Sequence, residues 1–202
     1  MKKKTIVTNI IFMIFVSAIS FNAKARVLQS DDAEVYNNKG VEYYNSGDLD
    51  KAIECYEKAL KLKTDYVEAY NNLGVAYHMK GNYDKAIECF EKTVKLKPDY
   101  GEAYKSMGLA YSKKSNYDKA IECFEKSLKI NPDDGYVYNN MAIAYIEKAE
   151  FDKAIECCQK AIKINSDDVV AYYNMGVAYF AKGDHDKAND CFKKMSATGN
   201  NK

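Results

Sequence analysis

Six cysteines are the residues of this chain with the widest chemical repertoire, because a thiolate can act as a nucleophile, a metal ligand or half of a disulfide. Five of them recur at one constant interval, and the sixth directly follows the fourth member of that series. In order, they are Cys55, Cys89, Cys123, Cys157, Cys158 and Cys191. A thiol-dependent redox protein or a metal-handling protein is therefore one interpretation that the sequence leaves open.

The regular spacing of the cysteines argues against disulfides. Residues that recur at a constant interval occupy equivalent places on successive structural units, and the axes of packed helices lie about 8–10 Å apart. A disulfide requires Cα atoms within about 7 Å of each other, so sulfurs on equivalent helices are too far apart. The chain has no C-x-x-C pair, which weakens the case for a metal site. We therefore expect free thiols that pack in the interior as small apolar groups.

The sequence contains no pattern that supports catalysis by histidine. The two histidines, His78 and His185, have no nucleophile and no metal-ligand motif beside them. Neither of the glycine-rich phosphate-binding motifs, G-x-G-x-x-G and G-x-x-x-x-G-K-S/T, occurs in the chain. We predict a non-catalytic protein with no cofactor, no metal site and no small-molecule substrate.

Residues 1–25 have the organisation of a signal peptide. Lys2–Lys4 form a basic region, Ile6–Phe21 is mostly apolar, and Ala23 and Ala25 are the small residues that a signal peptidase requires. An apolar run of this length is short for a helix that spans a bilayer, which needs ~20 residues. We predict cleavage after Ala25, an N-terminal linker over residues 26–32, and a periplasmic or secreted mature protein without stable membrane insertion. An uncut membrane anchor and a hydrophobic first helix are the alternatives.

The charge balance makes nucleic acid an unsuitable partner. The chain has 30 basic and 29 acidic residues, and four of the lysines lie in the predicted leader. The mature protein would then have 26 basic against 29 acidic residues, a net charge of −3. Such a surface has no basic excess with which to neutralise phosphates.

From residue 33 onward the whole sequence repeats with the period of the cysteines, and each repeat has the pattern of two helices joined by a turn. In the second repeat, Tyr70, Gly74 and Tyr77 lie at helical spacing on one face. Gly81 then interrupts the pattern, and the helical spacing resumes at Ala86. The glycine and the alanine predict a close approach of two antiparallel helices. Because a single hairpin cannot bury both of its apolar faces, the repeats must stack on one another.

Three features predict where the helices and the array end. Pro98 is expected to end the second helix of its repeat, and an aspartate is expected to cap the first helix of each repeat. These aspartates are Asp31, Asp65, Asp99, Asp133 and Asp167. The last repeat has Asn189 and Ser196 where inner repeats have apolar residues, which predicts the polar outer face of a capping repeat.

These patterns resemble the tetratricopeptide repeat family over residues 33–202. The resemblance implies an all-α fold, a right-handed superhelical α-solenoid of five 34-residue helix-turn-helix repeats. The predicted repeats span residues 33–66, 67–100, 101–134, 135–168 and 169–202, and the last is the C-terminal capping repeat. The resemblance also implies a scaffold or adaptor that binds another protein or a peptide in the concave groove of the stack.

One stripe of each first helix faces away from its own hairpin and is expected to line that groove. It contains a series of amides, Asn38, Asn72, Asn140 and Asn174, and an amide can pair with the backbone of an extended peptide because it both donates and accepts. The series resembles the asparagine ladder of some tetratricopeptide arrays; packing between repeats is the other interpretation. Apolar residues of the same stripe, such as Ile143 and Val170, would provide selectivity. The predicted peptide-binding residues are Asn37, Asn38, Tyr44, Asn71, Asn72, His78, Lys105, Tyr136, Asn139, Asn140, Tyr173, Asn174 and Phe180.

Overall fold

The computed structural model describes residues 32–199, and every regular element in that range is an α-helix. The helices are α1 (32–45), α2 (Leu49–Leu62), α3 (Val67–Met79), α4 (Tyr83–Leu96), α5 (Gly101–Lys113), α6 (Tyr117–Ile130), α7 (Gly135–Glu147), α8 (Phe151–Ile164), α9 (Val169–Ala181) and α10 (His185–Gly199). They form five consecutive pairs, each a first helix and a second helix joined by a short turn. The prediction of an all-α repeat solenoid is confirmed. The predicted signal peptide and residues 26–31 lie outside the described residues, as do residues 200–202.

The described residues divide into two compact units, with the boundary between Ala76 and Tyr77, inside α3. The first unit contains α1, α2 and most of α3, and the second contains the end of α3 and helices α4 to α10. In the second unit, one cluster of buried residues extends from Ala120 on α6 to Ala178 on α9 and includes Phe124 and Met141. None of the helices in the described range is long and apolar enough to cross a membrane.

First and second helices differ in how their apolar residues are arranged. On α4, buried Ala86, Cys89 and Phe90 lie on one side and charged residues cover the other, so this helix has a single face toward the interior. In contrast, α7 and α9 are apolar around most of their circumference and contain one charged residue between them, Glu147. A helix with more than one apolar side packs on its own partner and also on a neighbouring pair. This difference explains why, in the second unit, a first helix such as α9 packs on its own partner α10 and also on α8 of the preceding pair.

Helices α3, α5, α7 and α9 begin one residue later than the predicted caps require. Asp134 directly precedes α7, and its carboxylate accepts a hydrogen bond from the backbone N–H of Val137 at 3.1 Å. Asp168 caps α9 in the same way by accepting from the N–H of Ala171 at 3.0 Å. Asp65, Asp99, Asp133 and Asp167, which we predicted as caps, each lie one residue too early, in the turn. The prediction was wrong because only the residue directly before the helix can reach the unpaired N–H groups of its first turn. The expected end of α4 before Pro98 is confirmed.

The turn inside each helix pair passes through one residue with a left-handed backbone. The φ angle is +83° at Gly47, +76° at Gly81 and +84° at Gly183, a conformation that glycine adopts without a steric penalty. The equivalent residues in the third and fourth pairs are Ser115 and Ala149, both with a φ of +57°. Because a Cβ atom makes this region unfavourable, these two turns are less stable than the three that contain glycine.

A glycine on the first helix makes room for an aromatic ring on the second. A Cβ atom placed on Gly108 would lie 2.5 Å from Cε1 of Phe124, far inside van der Waals contact. The same 2.5 Å approach joins Gly40 to Tyr56 and Gly176 to Phe192. The fourth pair has Ala142 on α7 and Cys158 on α8 instead, both fully buried in the same cluster. The larger residue on the first helix is therefore matched by a smaller residue on the second.

Lysines cover the tyrosines that recur near the end of each first helix. Lys85 lies 5.0 Å from the ring centroid of Tyr77, and Lys119 lies 5.3 Å from that of Tyr111. Equivalent contacts join Lys51 to Tyr43, Lys153 to Tyr145 and Lys187 to Tyr179. A lysine stem over an aromatic face covers apolar surface while its ammonium group stays in water. These tyrosines thus form part of the hairpin and are not free for a ligand.

Ion pairs join consecutive helix pairs within the second unit. Lys148, just after α7, lies 2.6 Å from Asp118 on α6. Lys114 pairs with Asp84 and Lys182 pairs with Asp152 at the equivalent positions. The carboxylates of all three pairs are largely exposed to solvent, so each ion pair contributes little to the stability of the fold.

Candidate functional site

We use the term first-helix face for the stripe of each first helix that contains the predicted binding residues. In the first unit this face is only partly open. Asn37 is buried, and its Oδ1 accepts a hydrogen bond from Nδ2 of Asn72 at 3.1 Å. Asn38 is exposed, whereas Tyr44 and Asn71 are half-buried. One amide of the predicted ladder, that of Asn72, therefore joins two repeats to each other.

The same use of amides occurs between the fourth and fifth repeats. Asn139 on α7 is buried and donates from Nδ2 to the carboxylate of Asp168 at 2.8 Å. Its Oδ1 atom and the Nδ2 atom of buried Asn174 have no protein partner among the described residues. In the first two repeats the equivalent atoms are Asn37 Oδ1 and Asn72 Nδ2, which are joined by a hydrogen bond. The equivalence indicates that Asn139 and Asn174 face each other across the repeat boundary.

Lys105 replaces asparagine at this position in the third repeat and forms ion pairs instead. Its ammonium lies 2.7 Å from Glu102 and 3.3 Å from Asp134, the cap of α7. Burial lowers the pKa of Lys105, but the two carboxylates outweigh this effect and the pKa is raised overall. Because a cation cannot accept a hydrogen bond from an amide, Asn140 turns back and donates to the carbonyl of Tyr136 at 2.8 Å.

On α7 and α9 of the second unit, the open part of the first-helix face is apolar. Tyr136 on α7 is 56% exposed, and Tyr173 and Phe180 on α9 are 52% and 60% exposed. Ile143 and Val170 are also exposed on the same two helices. Large side chains of this kind are usually buried, so an exposed group of them marks a surface for interaction. Three of the predicted aromatic residues, Tyr136, Tyr173 and Phe180, are thus exposed on α7 and α9 of the second unit. Four of the seven predicted amides, Asn37, Asn72, Asn139 and Asn174, lie between repeats.

The two histidines differ in their surroundings. His78 is half-buried, its ring stacks edge-on with Tyr83 at 5.3 Å, and burial, followed by the charge of Lys113, lowers its pKa. His185 is exposed and packs against the ring of Phe180 at 4.9 Å. In the described part of the chain, neither belongs to a group of residues that could hold a metal ion.

All six cysteines are free and buried, as predicted. Burial raises the pKa of Cys123 and Cys157 to about 11 and that of Cys158 to about 12. It also raises the pKa of Cys191. A thiol that stays protonated at neutral pH is a poor nucleophile and a poor metal ligand. These side chains therefore act as small apolar core residues.

Models of tetratricopeptide repeats match most of the described chain. The segments are residues 67–100 and 101–134, residues 123–156, and residues 40–81 and 144–183. A crystal structure of MamA is 33% identical, with the similarity covering 80% of this chain and 95% of that chain, and has a TM-score of 0.77. The chain belongs to the tetratricopeptide repeat family. Proteins of this family are in general non-catalytic scaffolds for contacts between proteins.

Other comparisons add to this assignment. A PPR repeat model matches residues 170–199, the fifth helix pair. A MamA fragment from Desulfovibrio magneticus RS-1 is 24% identical, covers 85% of this chain and 97% of that chain, and has a TM-score of 0.81. YrrB, described as a TPR protein with an unusual peptide-binding site, is 23% identical, covers 91% of both chains and has a TM-score of 0.73. At these identities the two structures show the fold. The search of curated proteins found no match.

Proposed function

We propose that this protein is a non-catalytic scaffold that acts outside the cytoplasm and binds a segment of another protein through its first-helix face. The observation that carries the proposal is the exposure of Tyr136, Tyr173 and Phe180 on that face, because exposed aromatic residues are enriched among the anchors of protein interfaces. YrrB, whose fold this chain shares, is described as having a peptide-binding site. Contacts from Asn38, Asn71 and the other predicted amides remain a prediction.

The location outside the cytoplasm rests on the basic, apolar and small-residue regions of residues 1–25. Cleavage after Ala25 would leave Arg26 as the first residue of the mature protein. N-terminal sequencing of the protein from its native host tests this directly. A soluble form that keeps Met1 would contradict export.

A thiol-dependent or metal-handling function, the alternative from the sequence, has no support from the described residues. The cysteines are buried, and burial raises the pKa of Cys123, Cys157 and Cys158 well above neutrality. We therefore propose only the scaffold function.

Affinity purification with the mature chain, residues 26–202, tests the scaffold function. A face variant, Y44S/Y136S/Y173S/F180S, removes four aromatic side chains from the first-helix face. The matched control, L96S/I164S, removes two exposed apolar side chains from the ends of second helices. We expect the same partner to be recovered by the parent and the control and lost from the face variant. Equal recovery by the face variant would show that this face is not the binding surface.

A further inference from the structure

The exposed apolar residues of α7 and α9 form one patch in the second unit. We call it the α7–α9 patch and define it as Tyr136, Ile143, Val170, Tyr173 and Phe180. The two helices pack directly against each other, and all five side chains are exposed. Resting on the proposed function, we propose that this patch is the anchor of the binding face and that its occupant is an amphipathic helix of another protein with an uncharged contact side.

The near absence of charged residues on α7 and α9 determines the chemistry of the occupant. Over their lengths, α7 and α9 have one charged residue, Glu147, at the end of α7. A charged side chain of a partner placed here would lose hydration without gaining a counter-charge, which is strongly unfavourable. On α5, by contrast, Glu102 and Lys105 are charged but already paired. The patch therefore favours a neutral, apolar contact side.

The spacing of the exposed residues on α9 favours a helix over an extended peptide. Val170, Tyr173 and Phe180, with half-buried Val177 between them, lie at intervals of three, four and three residues along one side of α9. This line is about 15 Å long at 1.5 Å per residue, and a second helix laid beside it can interdigitate its own apolar residues at the same spacing.

An extended peptide would need partners for its backbone, and the amides nearest the patch are either buried or bonded within their own helix. Asn139 and Asn174 are buried between the repeats, and Asn140 donates to the carbonyl of Tyr136 in its own helix. A helix satisfies its backbone hydrogen bonds internally, so it can occupy the patch without these amides. An amphipathic helix that lies in a groove presents a neutral apolar side and needs no partners for its backbone, so it meets both conditions.

The size of the patch argues against a second copy of this chain as the occupant. An aromatic side chain has ~150–250 Å² of surface, so five side chains that are about half exposed offer on the order of 400 Å². A stable dimer buries roughly 800 Å² per partner. One helix of a few turns covers the smaller area, whereas two copies meeting at this patch alone would not form a stable pair.

Site-specific photo-crosslinking in the native host tests the proposal. The full chain would carry p-benzoylphenylalanine at Ile143 or Val170 within the patch, at Asn38 or Glu102 elsewhere on the first-helix face, or at Leu96 as the control. Crosslinked peptides are then sequenced by mass spectrometry. We expect capture at the two patch positions of one segment that has apolar residues at helical spacing and charges only on its opposite side.

Four outcomes of the crosslinking would overturn the proposal. They are capture of a second copy of this chain, capture of a charged or proline-containing extended segment, capture only at Asn38 or Glu102, and capture at none of the first-helix positions. Capture only at Asn38 or Glu102 would leave the scaffold function standing, whereas capture at none of these positions would contradict the scaffold function as well. As a second measurement, a synthetic peptide of the captured segment should bind Y173S/F180S at least about tenfold more weakly than L96S/I164S. Circular dichroism would verify that both variants stay helical, and equal affinities would also overturn the proposal.

Discussion

At the scale of single residues, size complementarity between the two helices of a pair explains substitutions that break the repeat pattern. The first, third and fifth pairs combine glycine with an aromatic ring at a distance that leaves no room for a Cβ atom, and the second pair has the same residue types, Gly74 and Phe90. The fourth pair has Ala142 opposite Cys158, so the vicinal pair Cys157–Cys158 follows from packing rather than from redox chemistry. The sixth cysteine fills the space that an aromatic ring would occupy if residue 142 were glycine.

This explanation predicts strong coupling between residues 142 and 158. Cys158→Phe alone should destabilise the chain by about 1–3 kcal/mol, because the ring would overlap the methyl group of Ala142. Adding Ala142→Gly should recover most of that loss, with a coupling free energy of about 1–3 kcal/mol. Urea unfolding of the parent, the two single variants and the double variant measures this coupling free energy. Additive effects would show that the two residues do not share one space.

The buried thiols predict a second measurable property. Because burial raises the pKa of Cys157 to about 11, roughly one thiol in a thousand would be ionised at pH 8. The native chain should therefore react slowly with a thiol reagent at that pH. After denaturation without a reductant, all six cysteines should react. Fewer reactive thiols than cysteines would indicate disulfides and revive the redox interpretation.

At the scale of the element, the turns inside the helix pairs differ in strain although their length is the same. Gly47, Gly81 and Gly183 adopt a positive φ freely, whereas Ser115 and Ala149 hold a Cβ atom in the same conformation. Substitutions in the third and fourth turns can therefore raise the stability of the protein without a change of fold.

We expect Ala149→Gly to raise the free energy of unfolding by about 0.5–1 kcal/mol. The relief of the left-handed conformation, about 1–2 kcal/mol, exceeds the added entropy of glycine in the unfolded chain, about 0.5–1 kcal/mol. Gly81→Ala is the matched control and should have the opposite sign. Thermal unfolding of both variants is the measurement. A lower melting temperature for the Ala149→Gly variant would contradict the assignment of strain.

The elements were predictable from the sequence because their signals are local and repeated. A constant repeat period, helical spacing within each repeat and small residues at fixed positions indicated the helix pairs and the buried cysteines. The cap position was missed because two consecutive aspartates, as at Asp133 and Asp134, both suit a turn. Which of the two caps the helix depends on the residue at which the helix begins. The direction of the amides was also not predictable. Asn139 and Asn140 are adjacent, and only the neighbouring repeat determines which of them is buried.

At the scale of the whole molecule, the first helices have two roles. Within each unit they join consecutive repeats through buried side chains and amides, and in the second unit they leave an uncharged apolar patch open to solvent. A catalytic site would require polar groups that converge and are chemically poised, whereas binding a protein segment requires shape and apolar surface. The described residues provide an exposed apolar surface, which is the physical reason for proposing a scaffold.

The measurement that tests this account most directly is amide hydrogen exchange of the mature chain, residues 26–202, with and without its recovered partner. If the first-helix face binds the partner, exchange should slow in α7 and α9, while the outer surfaces of α4, α6 and α8 should exchange as before. Slower exchange confined to those second helices, with α7 and α9 unchanged, would contradict the account.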